Sequence, residues 1–400
     1  MRYISELSTL VDITLITQIR NKRNIDKQPL QNVEVVYINT EIVASPMHKL
    51  SKIFTRDPDK SMGTKVAFRY PSYSYFEWIV WRIYKKRINA GEFDIVHRVS
   101  PMSPTIPSPI AKWSKTTPTI IGPILSSPPW PDGYNYERKR DRDWLSYFRN
   151  IHRLLPYYKS SYKNAAAILA AYPHTIADLP EECMPRVIDF SEGGVDPHDF
   201  PMPEKVINER ITILYVGRMV SFKLPELLIE CFNLSPLLQR HRLVYIGDGP
   251  ERERLEEMVH EYQLTGCVEF KGVISQRDVG EIMRESEIFA FPSIREQGGG
   301  VITLAAMSGM VPIVVDYGGP SYRVPDGTGI RIPISRKKSL IKSFQLELER
   351  LVQDPNRMLS LGRAARQFTE DHYAWNVKAK NTIEVYKWVL GDNTNKPEFR

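Results

Sequence analysis

The chain has 400 residues, 42% hydrophobic and 25% charged, with three scattered cysteines (Cys183, Cys231, Cys267). That composition is globular, and it excludes a disulfide scaffold, a CxxC metal pair and a disordered chain. No apolar run approaches the roughly 18–20 residues of a spanning helix. The opening Met1-Arg2-Tyr3-Ile4-Ser5-Glu6 lacks the apolar core of a signal peptide. The expectation is a cytoplasmic protein, soluble or peripheral at the inner face of the membrane. The net charge of +7 is unevenly spread: residues 1–163 hold 26 Lys and Arg against 14 Asp and Glu, and the remainder 28 against 33. A basic first part suits nucleic acid, an anionic membrane surface, a phosphorylated acceptor, or a solvated face with no partner. It carries no basic–aromatic recognition motif on a defined sheet, so no nucleic-acid partner is expected.

In chain order, residues 11–17 and 33–38 read as strands. Residues 76–88 set Trp78, Trp81 and Ile88 among Arg82, Lys85, Lys86 and Arg87. That segment is either an interfacial helix on anionic lipid or a helix packed by its tryptophans into the first domain. Short apolar runs follow at 94–97 and 119–122, and the alanine-rich 165–171 is a buried helix or strand. Prolines and aromatics at 101–109 and 128–131 predict long ordered loops. The alternating charges of 137–143 predict an exposed helix, which makes Asp141-x-Asp143 a chance match to a metal-binding DxD. From residue 211 the pattern sharpens. Apolar strands at 213–216, 243–246, 268–270, 288–291 and 312–315 alternate with helical faces such as Leu227, Leu228, Cys231 and Phe232. This alternation predicts a parallel sheet wound on both faces, with ligands beyond the carboxyl ends of its strands, at Gly217, Gly247, Pro292 and Gly318. The change of domain is expected near Gly193-Gly194.

Three features gather at those strand ends. Arg218 and Lys223 follow Gly217, putting two cations between a strand and the next helix. Phe291-Pro292-Ser293 leads to Glu296 and then to Gly298-Gly299-Gly300, directly before an apolar helix from Val301 to Met307. Asp316-Tyr317-Gly318-Gly319-Pro320 closes the next strand. A glycine run entering a helix brings backbone N–H groups to an anion at the positive end of the helix dipole. Two cations neutralise a pyrophosphate, and a carboxylate accepts hydrogen bonds from sugar hydroxyls. Each feature alone has an ordinary explanation: a solvated pair, a tight turn, a local Glu296–Arg295 salt bridge. Their joint order predicts a nucleotide-sugar pocket.

On these residues the chain resembles the family 4 (group 1) retaining glycosyltransferases. The matching segments are 213–223, 245–250, 270–272, 291–300 and 309–320, with weaker likeness at 93–97 and 193–196. The resemblance implies an α/β chain of the GT-B fold: a Rossmann-like first domain over 1–190, a nucleotide-sugar-binding Rossmann-like domain over 191–375, and a helix and tail over 376–400 returning to the first domain across a cleft. It also implies metal-independent glycosyl transfer with retained configuration from a nucleotide-diphosphate sugar, and no cofactor beyond that donor. Arg218 and Lys223 take the place of the cations that neutralise the diphosphate. Glu296 takes that of the first glutamate of the E-x7-E motif, against the donor sugar. Gly217, Gly298, Gly299, Gly300 and Val301 line the donor, and His97 faces the acceptor. The acceptor is a saccharide or a lipid-linked saccharide, as in surface polysaccharide or lipid glycosylation. Two departures stand out. The second glutamate is replaced by Leu304, where a carboxylate holds the ribose, and the first glycine of the chain is Gly63, so by the resemblance the first domain is expected to lack its first strand and glycine-rich loop. They keep a second reading open: a non-catalytic protein with the fold and weak nucleotide binding.

Overall fold

The structure is a computed structural model that describes residues 1–28, 30–54, 62–141, 151–201 and 209–399. It divides into two compact units: Met1–Ser126, Arg142–Glu192 and Trp375–Arg400 in the first, Ser127–Asp141 and Gly193–Ala374 in the second. The chain therefore changes unit next to Gly193, but the second unit also claims a stretch of the first half.

Among the described residues the first unit holds two parallel sheets. β1 (Ile13–Gln18) pairs with β2 (Val33–Ile38), and β3 (Val96–Arg98), β4 (Thr119–Ile124), β5 (Ala167–Ala170) and β6 (Val187–Asp189) pair in chain order. The alanine-rich segment is thus a strand, fully buried between neighbours on both sides. Small side chains fit that position because both faces of a central parallel strand are covered. The helix Met62–Asn89 carries the aromatic and basic segment. Val80, Tyr84 and Ile88 are buried in one cluster, with Trp81 packed against it. Trp78 is 41% exposed, with the Arg82 guanidinium 4.8 Å from its ring. One face of this helix is therefore core. The C-terminal helix Trp375–Leu390 packs in the first unit: Val385, Tyr386, Trp388 and Val389 lie against Ile120, Leu169 and Ile188, and Tyr3 bonds Thr382 at 2.8 Å. Among the described residues no helix is long and apolar enough to cross a membrane.

The second unit is built on one six-stranded parallel sheet in the order β12-β11-β10-β7-β8-β9. These strands are β7 (Thr212–Val216), β8 (Arg242–Ile246), β9 (Val268–Gly272), β10 (Ile288–Phe291), β11 (Val311–Asp316) and β12 (Ile330–Pro333). The chain runs outward from β7 through β8 and β9, then crosses back to β10 and runs outward the other way. β7 and β10 pair through Ile213↔Ile288 and Leu214↔Phe289, and the loops leaving them diverge. In a doubly wound sheet this reversal opens a crevice beyond the strand ends.

The segment Ser127–Asp141 is held in the second unit by buried ion pairs and aromatic contacts. Tyr134 is buried and donates to the Ser335 carbonyl at 2.7 Å. The helix Asn135–Asp141, expected to be exposed, instead buries Glu137 against Lys337 at 3.2 Å. Lys337 also pairs with Glu226 at 2.5 Å, and Arg140 with Glu251 at 2.7 Å. Paired cations make burial of these carboxylates tolerable, since an unpaired buried charge is costly. Asp143 lies outside the described residues.

Candidate active site

At the end of β7, the Tyr215 hydroxyl donates to the Arg218 carbonyl at 2.9 Å. Burial, reinforced by the charge of Glu296, pushes that hydroxyl well above its ordinary range, so it stays a neutral donor. Arg218 itself is exposed, in the loop that turns through Ser221–Lys223. The Lys223 ammonium lies 5.0 Å from the Phe291 ring, and a Cβ on Gly217 would sit 3.4 Å from its Nζ.

From β10 comes the loop carrying Glu296, whose Oε2 is 3.0 Å from Lys223 Nζ; the two side chains are 21% and 15% exposed. Its sequence neighbour Arg295, the ordinary alternative partner, is engaged elsewhere. Arg295 donates to the Pro128 carbonyl at 3.2 Å, stacks 5.0 Å from the Trp130 ring and lies 3.9 Å from Asp141. Gln297 donates to Ser127 Oγ at 2.8 Å, and Tyr317 to the Pro129 carbonyl at 3.0 Å. The segment Ser127–Asp141 therefore braces the loop on one side, while the Gly319 N–H braces it on the other by donating to the Glu296 carbonyl at 3.1 Å.

Gly299, at φ 64° and ψ 42°, caps the helix Gly300–Met307. This left-handed conformation suits glycine, which has no Cβ to clash there. Gly298 and Gly299 are buried and Gly300 is exposed at the helix N-terminus, where unpaired N–H groups and the helix dipole favour an anion. Lys223, Glu296 and the glycine run thus meet at the crevice between β7 and β10. A cation, a carboxylate and a helix N-terminus in one place can hold a diphosphate and orient a hydroxyl-rich group beside it.

Three sequence-expected residues are committed elsewhere. Leu304 is half-buried and packs against the cluster of Val195, Met307 and Tyr373, and Val301 packs on the main core of the unit. His97, on β3 in the first unit, has both ring nitrogens occupied: Nε2 lies 2.8 Å from the Gly122 carbonyl and Nδ1 2.8 Å from the Tyr386 hydroxyl. A carbonyl only accepts, so Nε2 carries the proton and Nδ1 accepts from Tyr386. An acceptor ligand would have to displace one of these bonds.

Burial pushes His97 down to about 4 from its ordinary 6.5. With the folded value below the unfolded one, the stability it contributes is complete above about pH 6.5 and is lost as pH falls through 4. At most about 3 kcal/mol is at stake, from roughly 1.4 kcal/mol per unit. Unfolding curves between pH 7 and 4 should show this loss in the wild type and a shallower slope in His97→Gln. Equal slopes would show that His97 does not titrate on unfolding.

Sequence reasoning missed Tyr215, Arg295 and Trp130. Only Trp130 carried a signal, as an aromatic in a proline-rich loop. Among the described residues no group of three or more His, Cys, Asp or Glu could hold a metal ion.

Comparison with known proteins matches this unit. Residues 200–368 fit the glycosyl transferases group 1 family. An uncharacterized glycosyltransferase of Methanocaldococcus jannaschii is 26% identical to the chain over 212 residues, 50% of this chain and 53% of that one. The chain spans about half the length of the curated relatives it matches. Two solved structures cover nearly all of it. A glycosyltransferase from Rickettsia africae covers 98% of this chain and 95% of its own, with TM-score 0.60 and 16% identity. Anabaena HepE in complex with UDP covers 94% and 99%, with TM-score 0.57 and 13% identity. The fold is that of the GT-B glycosyltransferases. The group 1 match begins at residue 200 and takes in every strand of the second unit, from β7 to β12.

Proposed function

We propose that the protein transfers a glycosyl group from a nucleotide-diphosphate sugar to a saccharide or lipid-linked acceptor, with retained configuration. The observation that carries this reading is the Lys223–Glu296 pair at the β7/β10 crevice, beside the N-terminus of the helix Gly300–Met307. Lys223 and Arg218 would hold the diphosphate, and positive charge fixed near a leaving group lowers the barrier most where charge accumulates. Glu296 would accept hydrogen bonds from sugar hydroxyls and orient the anomeric carbon. The basic surplus of residues 1–163 and the exposed Trp78 beside Arg82 support an acceptor presented at an anionic membrane surface.

HepE was solved with UDP, which makes UDP the first probe. Thermal unfolding with UDP, GDP, ADP and their sugars should show stabilisation by one nucleotide class, since a ligand at 100 times its Kd adds about 2.7 kcal/mol. NMR of the product formed from the stabilising donor reads its anomeric configuration. No stabilisation by any of them would end the donor-site reading. Leu304, in place of a ribose-binding carboxylate, favours the second reading of a non-catalytic protein with weak nucleotide binding. Stabilisation without any donor turnover would support it.

A further inference from the structure

The helix Gly318–Arg323 ends in a guanidinium that is 4% exposed. Arg323 Nε donates to the carbonyl of Gly298, and Nη1 donates to Thr303 Oγ1 at 2.8 Å. The guanidinium carbon also lies 5.0 Å from the centroid of the Tyr373 ring. One side chain therefore grips both the residue before the helix cap and the first turn of the helix Gly300–Met307.

The Gly298 carbonyl and the Gly299 N–H belong to the same peptide group. In a trans, planar peptide these two point in opposite directions. With the carbonyl held on the buried guanidinium, the Gly299 N–H points away from Arg323. Glycine on both sides leaves no Cβ to decide this orientation, so a long-range contact has to do it.

We propose that Arg323 is a positioning residue that locks the 298–299 peptide with its N–H turned outward as a donor to the diphosphate. The proposal rests on the donor-site reading above. A merely structural arginine would weaken every ligand of the unit alike, whereas a peptide-orienting one acts on the phosphates and spares the nucleoside.

The test is calorimetric titration of the wild type, Arg323→Lys and Thr303→Val with UDP and with uridine, with thermal melting to confirm folding. Lysine cannot reach Gly298 and Thr303 together, and valine keeps the shape of threonine while removing the second anchor. UDP affinity should fall roughly tenfold in Arg323→Lys and severalfold in Thr303→Val, the scale of one hydrogen bond to a charged group. Uridine affinity should not change. Equal weakening of UDP and uridine, or unchanged UDP binding in both variants, overturns the proposal while the donor site stands. A wild type that does not bind UDP overturns the donor-site reading and the proposal with it. Should Arg323→Lys fail to fold, Thr303→Val decides alone.

Discussion

Lys223→Ala and Glu296→Gln should change UDP affinity in opposite directions. The two side chains pair at 3.0 Å, so the lysine charge is shared between the glutamate and any diphosphate. Removing the lysine takes away a charge-assisted contact, and UDP binding should weaken by about 10–100-fold. Neutralising the glutamate frees the lysine and removes a negative charge from the diphosphate's surroundings. Partial exposure screens that repulsion to about 1 kcal/mol, so UDP should tighten about fivefold. Transfer from the nucleotide sugar should nonetheless fall by about 100-fold, because the group proposed to orient the sugar is gone. Titration with UDP and a turnover assay on the same preparations read both effects. Weaker UDP binding in Glu296→Gln would show that the glutamate supports the diphosphate rather than competing with it.

Leu304→Glu should destabilise the second unit and leave UDP affinity unimproved. The leucine packs against the cluster of Val195, Met307 and Tyr373, none of which can hydrogen-bond a carboxylate there except through the Tyr373 hydroxyl. A charge placed among them with no assured partner costs about 2–4 kcal/mol, even with part of the side chain reaching water. Thermal melting reads the loss, and UDP titration asks whether anything was gained. A variant that melts like the wild type and binds UDP more tightly would place residue 304 at the ribose. The non-catalytic reading would then rest on a defect that one substitution repairs.

The second unit was legible because most of its strands hold apolar runs, several of them ending at glycine or proline. Residues 213–216, 243–246, 268–270, 288–291 and 312–315 all lie in strands of one sheet. β6 and β12 escaped notice because Asp189 and Arg331 cut their apolar runs to one or two residues. The alanine-rich β5 was ambiguous because a strand buried on both faces does not alternate. At the site, the Gly298–Gly300 run and the cations after Gly217 were visible as local patterns. Partners distant in sequence were not. Arg323 reads as one more surface arginine until its carbonyl acceptor at Gly298 is seen. The ordinary alternative for Glu296 in the sequence was its neighbour Arg295, yet its cation comes from Lys223 across the sheet reversal. The charges of 137–143 suggested solvent because sequence cannot show that Lys337 lies opposite Glu137.

The brace at Ser127–Asp141 sets where the polypeptide can be divided. A fragment beginning at Gly193 contains every strand of the six-stranded sheet, and the glycine pair looks like a natural place to cut. It would leave Glu251 without Arg140, take one carboxylate from Lys337, and open the space filled by Tyr134. It would also strip Arg295, Gln297 and Tyr317 of the backbone and hydroxyl groups they hold. A piece that keeps the proposed donor site intact is therefore discontinuous in sequence. Residues 127–141 would have to be grafted back through a linker, or added as a peptide, before its affinity could stand for that of the intact protein.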